Sequence, residues 1–169
     1  MSDENKSKTF DYAVMAIMTA LVIVTTSFSV PFAITGGYFN LGDIIVVTTA
    51  LLFGPIIGGF TGGVGSALAD VWLGYAAFAP ITLVVKGIEG YVVGYIAGPE
   101  KDPSRNRIIL AWIIGGLIII AGYWIAEVFI MGYGMAAATA EALTINSLQA
   151  IVSGVGIPLS NAIKKRLNI

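Results

Sequence analysis

The chain has no cysteine and no histidine, and only 11% of its 169 residues are charged. The absence of both residue types excludes disulfide bonds, thiol nucleophiles, proton transfer through imidazole, and metal sites built from Cys or His. A net charge of −1 also provides no basic surface that could neutralise nucleic-acid phosphates. We therefore expect no enzyme, no cofactor, no metal site and no nucleic-acid partner.

Apolar residues are abundant instead: they make up 57% of the chain, whose mean hydropathy is +0.88. An ordinary soluble domain is about half apolar and about a quarter charged, so this composition indicates a membrane protein. One crossing takes about 20 residues, and a chain of this length accommodates about six crossings with short connections. The expected fold is an all-α membrane protein, a six-transmembrane-helix bundle that forms a single domain over residues 1–169.

The distribution of basic residues predicts the orientation of this bundle. All but one of the nine Lys and Arg residues lie in three clusters outside the apolar runs. Basic connections stay in the cytoplasm, so both termini and the loop that carries the middle cluster are expected there. The clusters are Lys6 and Lys8, then Lys101, Arg105 and Arg107, and finally Lys164, Lys165 and Arg166.

The six helices are predicted from apolar length and from glycine and proline breaks. Gly54 and Pro55 separate a short second helix from the third, and a bend is expected at Pro158. If the second and third helices formed one broken span, the count would be odd and the C-terminal basic cluster would face outward, against the positive-inside rule. The predicted helices cover about residues 10–28, 41–53, 55–74, 80–98, 108–131 and 142–163, and turns are expected over residues 29–40.

Ionisable side chains within the apolar runs are the most specific signal in the chain. A charge in hydrocarbon costs at least a few kcal/mol, so such groups usually face a cavity or one another. Lys86 and Glu89 share one face of the fourth predicted helix, and Asp70 lies at a similar depth on the third. An ion pair of Lys86 with Asp70 or with Glu89 would neutralise the charges. These groups either hold helices together or contact a substrate, and the sequence leaves both interpretations open.

Further polar residues are concentrated in the outer halves of the predicted helices, and this distribution indicates a cup that opens to the outside. Rings that stack on a flat molecule, together with amides and carboxylates that bond its edge, suit a small polar ring compound. Outer Trp and Tyr side chains also form interfacial belts, and Trp124 is favoured for the cup because Glu127 lies one turn away. The candidate binding residues are Asn40, Asp70, Lys86, Glu89, Trp124, Glu127, Asn146 and Gln149.

Small residues recur every four positions in two places, and such faces let helix backbones approach closely in lipid. One is the glycine-rich run over residues 54–67, and the other is Ala16 with Ala20 in the first helix. Internal packing explains both patterns, and the glycine-rich run also fits a sliding surface for a moving partner.

Four sequence segments resemble the substrate-binding S components of energy-coupling factor (ECF) vitamin transporters. They are residues 38–43 (YFNLGD), 51–55 (LLFGP), 65–70 (GSALAD) and 82–90 (TLVVKGIEG). The likeness covers the first four predicted helices, while the last two resemble the family mainly in hydropathy. It is nearest to the branch for hydroxymethylpyrimidine-like or pyridoxine-like molecules.

The resemblance implies a six-helix protein of a prokaryotic cell membrane that binds a vitamin near the outer face, under the loop between helices one and two. It also implies delivery by toppling in the membrane, driven by a transmembrane coupling protein and two cytoplasmic ATPases. In the family, a face of the Ala-x-x-x-Ala type docks the coupling protein, which gives Ala16 and Ala20 that expected role. The chain has no Walker-type Gly-x-x-x-x-Gly-Lys-Ser/Thr motif, as expected if its partners hydrolyse ATP.

Two other function classes fit the same residues. In a stand-alone secondary carrier, Glu127 or Glu89 would couple protons to solute movement. In a scaffold subunit, the buried polar groups would bind no ligand. Within the transporter interpretation, pyrimidine, pyridine, pantothenate-like and deazapurine ligands all remain compatible with the cup.

Overall fold

The computed structural model describes residues 3–33, 35–98 and 103–167, and side chains between residues 8 and 166 of those ranges. The side chain of Lys6 and the whole of Lys101, which the predicted orientation uses, lie outside the described part.

Helices make up most of the described part, and one small hairpin accompanies them. Five segments are long and apolar enough to cross a membrane: Lys8–Thr26, Gly42–Leu73, Ala79–Ala97, Arg105–Phe129 and Met135–Arg166. A mostly helical membrane protein is therefore confirmed. In chain order the elements are α1 (Asp3–Thr26), β1 (Ser29–Pro31), β2 (Tyr38–Asn40), α2 (Gly42–Leu73), α3 (Ala79–Ala97), α4 (Arg105–Phe129), α5 (Met135–Glu141), a π-helical turn (Ala142–Asn146), α6 (Ser147–Ser153) and α7 (Gly156–Leu167).

Helix α2 reverses direction at Gly54, which has φ 82° and ψ −172° and is followed by Pro55. A Cβ atom on Gly58 would lie 2.7 Å from the Cβ of Ala50. In a continuous α-helix two residues eight positions apart are about 12 Å apart along the axis, so this proximity requires a turn. Residues 42–53 (the first arm) and 55–73 (the second arm) therefore pack side by side and antiparallel, with the break where the sequence predicted it.

Gly54→Ala is expected to lower the free energy of unfolding by about 1–3 kcal/mol, because the φ and ψ of Gly54 lie in a region that essentially only glycine adopts. Apart from the chain neighbours of Gly54, no atom of the described residues lies within 4 Å of the added Cβ, so backbone strain is the main cause. Thermal unfolding in detergent measures the effect. Gly134→Ala is the matched control, since Gly134 has φ −61° and equal space; equal melting temperatures would contradict the prediction.

The glycine-rich run packs internally. A Cβ on Gly63 would lie 2.7 Å from the carbonyl oxygen of Leu83 in α3, and one on Gly65 would lie 2.8 Å from the Cβ of Val22 in α1. The second arm therefore lies against both helices at backbone distance, as small-residue faces permit in lipid. This arrangement accounts for the run without a moving partner.

The C-terminal region differs from the single helix predicted over residues 142–163. Helix starts earlier, at Met135, where the alanine-rich segment has high helix propensity. It then includes the π-helical turn and is interrupted between Ser153 and Gly156. Pro158 lies in the first turn of α7, where its missing N–H is tolerated, so the interruption precedes the proline.

The connection over residues 29–40 contains a β-hairpin that the all-α prediction missed. Its strands are antiparallel, with Val30 opposite Phe39. The backbone N–H of Phe32 donates to the carbonyl oxygen of Gly37 at 2.8 Å and closes the loop. Strands of three residues are too short to show an alternating pattern, so they leave little signal in the sequence.

Candidate functional site

A small cavity of about 30 Å³ lies between the hairpin and the helices, and its empty space reaches about 400 Å³ when the part open to solvent is included. Every membrane-spanning segment contributes to its wall. The lining residues are Thr26, Gly37, Tyr38, Asn40, Ser66, Asp70, Phe78, Thr82, Lys86, Tyr123, Glu141, Asn146 and Gln149.

A buried ion pair forms one wall of the cavity. The Lys86 Nζ atom donates to Asp43 Oδ1 and Oδ2, both at 2.6 Å, and Glu89 Oε2 lies 3.7 Å away. All three residues are at most 2% exposed. Burying an ammonium group is costly unless it is paired and hydrogen-bonded, which explains the double contact. Asp43, which the sequence analysis did not pair with Lys86, is therefore its nearest partner, ahead of Glu89.

Two amide side chains extend this pair to the hairpin. Gln149 in α6 donates to Asp43 through Nε2. Its Oε1 accepts from the backbone N–H and from Nδ2 of Asn40 in β2, each at 3.3 Å. Asn40 Oδ1 in turn accepts from the backbone N–H of Gly42 at 2.8 Å. The network joins β2, α2, α3 and α6, so it orders the amides around the cavity.

Tyr38, also in β2, attaches the hairpin to the second arm of α2. Its hydroxyl donates to Asp70 Oδ1, and its ring centroid lies 4.5 Å from that of Tyr75. Burial, and next the nearby Asp70 carboxylate, raise the pKa of Tyr38 above its ordinary value, so the phenol stays protonated and donates. Within the described ranges, Asp70 Oδ2 accepts no hydrogen bond. One carboxyl oxygen of Asp70 is thus left at the cavity for another donor.

Tyr123 provides an aromatic wall. Its hydroxyl donates to Thr82 Oγ1 at 3.0 Å, and its ring centroid lies 5.6 Å from the Lys86 Nζ atom. This distance is within the range for an interaction between a cation and an aromatic face. The ring is therefore held in place by α3, and it lines the cavity beside the ion pair.

Glu127 and Glu141 form a second buried acidic group. Their carboxyl groups lie close enough to interact electrostatically. Glu141 lines the cavity, and its Oε1 lies against Gly37 of the hairpin loop. No donor from the described residues bonds Glu127 Oε1, Glu127 Oε2 or Glu141 Oε2. Glu141 is not among the predicted binding residues because the last predicted helix began one residue after it; an ionisable residue next to an apolar run is the signal that could have found it.

The eight predicted binding residues are divided between the cavity wall and its surroundings. Glu89 is buried beside Lys86, and Glu127 lies next to Glu141, outside the lining. Trp124 is half-buried and also lies outside the lining; its indole N–H donates to Thr139 Oγ1 at 3.1 Å. The predicted residues that line the cavity are Asn40, Asp70, Lys86, Asn146 and Gln149.

Ala16 and Ala20 lie on an exposed face of α1, beside Ile17, Leu21 and Val24. Among the residues that the structure describes, no other helix buries this face. Its role as a partner interface stays a prediction.

Comparison with protein families assigns the chain to a known group. The family model of the ECF-type riboflavin transporter S component matches residues 6–165. The chain belongs to this family. The resemblance drawn from the four sequence segments is thereby confirmed.

Two relatives show how this S component is placed among similar proteins. A Pyrococcus woesei protein described as an uncharacterized protein in the gap 3′ region is 40% identical over 150 residues, which cover 88% of this chain and 97% of the relative. The thiamine precursor transporter HmpT of Lactococcus lactis subsp. cremoris (strain MG1363) is 28% identical over 144 residues, which cover 83% of this chain and 79% of the relative. The second relative fits the hydroxymethylpyrimidine-like branch that the sequence segments indicated.

As an S component, the chain is the membrane-embedded, substrate-binding subunit of an ECF-type importer. It is a multi-pass membrane protein and a non-enzymatic subunit. The cavity between the hairpin and the helices is its candidate substrate site.

Proposed function

We propose that this S component binds a single-ring vitamin precursor of the hydroxymethylpyrimidine kind in the cavity described above. The ligand enters from the outer face of a prokaryotic cell membrane. A transmembrane coupling protein and two cytoplasmic ATPases then power its uptake. The observation that carries the proposal is one cavity in which aromatic rings, amides and charged groups converge under the hairpin.

The lining of the cavity suits a single flat ring with polar groups at its edge. Tyr38, Phe78 and Tyr123 provide faces on which a flat ring stacks. The name of the HmpT relative, a thiamine precursor transporter, supports the same substrate class, whereas the family description points to riboflavin.

The proposed topology is one domain with six crossings and both termini in the cytoplasm. The two antiparallel arms of α2 support two separate crossings in this part of the chain, although the first arm is short. With a cytoplasmic N-terminus, the hairpin after α1 then lies outside, directly over the cavity. The exposed face of Ala16 and Ala20 would dock the coupling protein. Residues 101–107 and the C-terminal basic cluster would lie inside, in agreement with the positive-inside rule.

Native mass spectrometry of the gently purified chain, followed by isothermal titration, tests the substrate. We expect a bound mass equal to hydroxymethylpyrimidine, and tighter binding of this compound than of riboflavin. Preferential binding of riboflavin would overturn the substrate class. Uptake by proteoliposomes that hold this chain alone, driven by a proton gradient and indifferent to ATP, would instead support a stand-alone carrier.

Asn146→Ala is expected to weaken ligand binding about fivefold, since one hydrogen bond contributes on the order of 1 kcal/mol and the lost amide lines the cavity. Isothermal titration measures the change. Asn161→Ala is the matched control, because Asn161 is exposed and lies outside the cavity lining. The site assignment fails if both variants bind the ligand as tightly as the unchanged protein.

A further inference from the structure

We infer that Glu141, with Glu127 behind it, is the subsite that recognises an amino group on the ligand ring. This inference rests on the proposed function and specifies which edge of the ligand determines selectivity. Three observations support the inference: the π-helical turn after Glu141, the excess of acidic side chains around the cavity, and the Asn146 amide nitrogen that has no acceptor among the described residues.

The π-helical turn places Glu141 and Asn146 on one cavity. Residues five apart in an α-helix point about 140° away from each other, because each residue rotates by about 100°. The turn Ala142–Asn146 widens the helix immediately after Glu141. Glu141 and Asn146, the last residue of the turn, both line the cavity. Such single π turns occur frequently at functional sites. The wider turn therefore brings an acid and an amide to the same ligand surface.

The cavity region has more acid than base. Among the buried residues in the described ranges, Lys86 is the cation, and its Nζ atom is held by Asp43 with Glu89 alongside. Tyr38 donates to Asp70. The buried acids are Asp43, Asp70, Glu89, Glu127 and Glu141.

Neither Lys86 nor Tyr38 pairs with the two remaining buried acids, Glu127 and Glu141. Two facing carboxylates repel each other unless a proton or a positively polarised group lies beside them. A ligand amino group, or a protonated ring nitrogen, supplies such a group. Glu141 is the member of the pair that reaches the cavity, so it makes the contact.

An independent observation also points to a ligand at this position. Asn146 is 4% exposed, and its Nδ2 donates to no acceptor in the part of the chain that the structure describes. It lines the cavity together with Glu141. A free donor next to a free acceptor matches the edge of an aminopyrimidine, where a ring nitrogen accepts and the neighbouring amino group donates. Asn146 would bond the ring nitrogen, and Glu141 the amino group.

The experiment compares hydroxymethylpyrimidine with its analogue in which a carbonyl oxygen replaces the ring amino group. The unchanged protein should bind the amino compound at least tenfold more tightly, because a site built around an acceptor rejects a ligand that lacks the donor. Glu141→Gln should remove most of this preference, since its amide donates to the carbonyl oxygen. Asp11→Asn, a carboxylate-to-amide change in α1 away from the lining, should preserve the preference.

The outcomes separate this inference from the proposed function. If the unchanged protein binds neither pyrimidine, the proposed function fails. If it binds both compounds equally, or if Glu141→Gln keeps the full preference for the amino compound, the Glu141 subsite is overturned. Size-exclusion chromatography shows whether Glu141→Gln folds; if it does not, the comparison of the two ligands on the unchanged protein alone decides.

Discussion

Replacing Lys86 by methionine is expected to lower the free energy of unfolding by about 3–5 kcal/mol, the cost of breaking a buried ion pair. The substitution conserves most of the side-chain volume and removes the charge that Asp43 and Glu89 face. Both carboxylates then remain buried without their cation. Thermal or denaturant unfolding in detergent measures the loss. Lys165→Met is the matched control, because Lys165 is exposed and its removal should change stability by less than about 0.5 kcal/mol.

A double-mutant cycle tests whether Asp43 is the partner. Lys86→Met combined with Asp43→Asn should recover part of the stability, since a neutral pair carries a smaller desolvation cost than one unpaired charge. Lys86→Met combined with Asp70→Asn should recover less, because Asp70 is bonded by Tyr38. Equal recovery in both double variants would contradict the ion pair with Asp43.

Gly90→Ala is expected to destabilise the protein by about 3 kcal/mol, at the upper end of the usual cost of overpacking. The added Cβ would lie 2.6 Å from the carbonyl carbon of Gly58, which is backbone and cannot rotate away. Either α3 or the second arm of α2 has to shift. The melting temperature in detergent, with ligand binding as a second measurement, reports the effect.

Gly87→Ala provides the control within the same helix. The atom nearest to its added Cβ is 3.7 Å away, an ordinary van der Waals distance. Its melting temperature should stay close to that of the unchanged protein, or rise slightly, since alanine favours helix. If Gly90→Ala were as stable as Gly87→Ala, the close approach of α3 to the second arm would be wrong.

The positions of the helices could be predicted because they depend on local properties. Long apolar runs must be helical in lipid, where each backbone polar group needs an internal partner. The break at Gly54 also has a local cause, a glycine-only conformation followed by proline. The helix start at Met135 and the π-helical turn were not predicted, because neither interrupts the apolar composition.

The partners within the candidate site could not be predicted to the same degree. Three buried acids, Asp43, Asp70 and Glu89, lie at a depth similar to that of Lys86. The rotation of the helices about their axes places Asp43 nearest to the Lys86 Nζ atom. A one-residue rotation of α4 likewise explains why Tyr123 lines the cavity while Trp124 bonds Thr139 at its exposed side. A rotation of about 100° per residue exchanges one neighbour for the next, and hydropathy barely detects it when several faces are apolar.

The sequence by itself determined that the chain crosses a membrane as helices, that Asp70, Lys86, Glu89 and Glu127 are buried there, and to which family the chain belongs. These properties follow from composition, apolar length and local motifs. Only the tertiary structure decided that Asp43 holds Lys86, that the hairpin closes the cavity, and that Glu141 and Asn146 face the same space. Such contacts join residues up to 109 positions apart, and they depend on helix rotation and backbone spacing, which are set by packing between the helices.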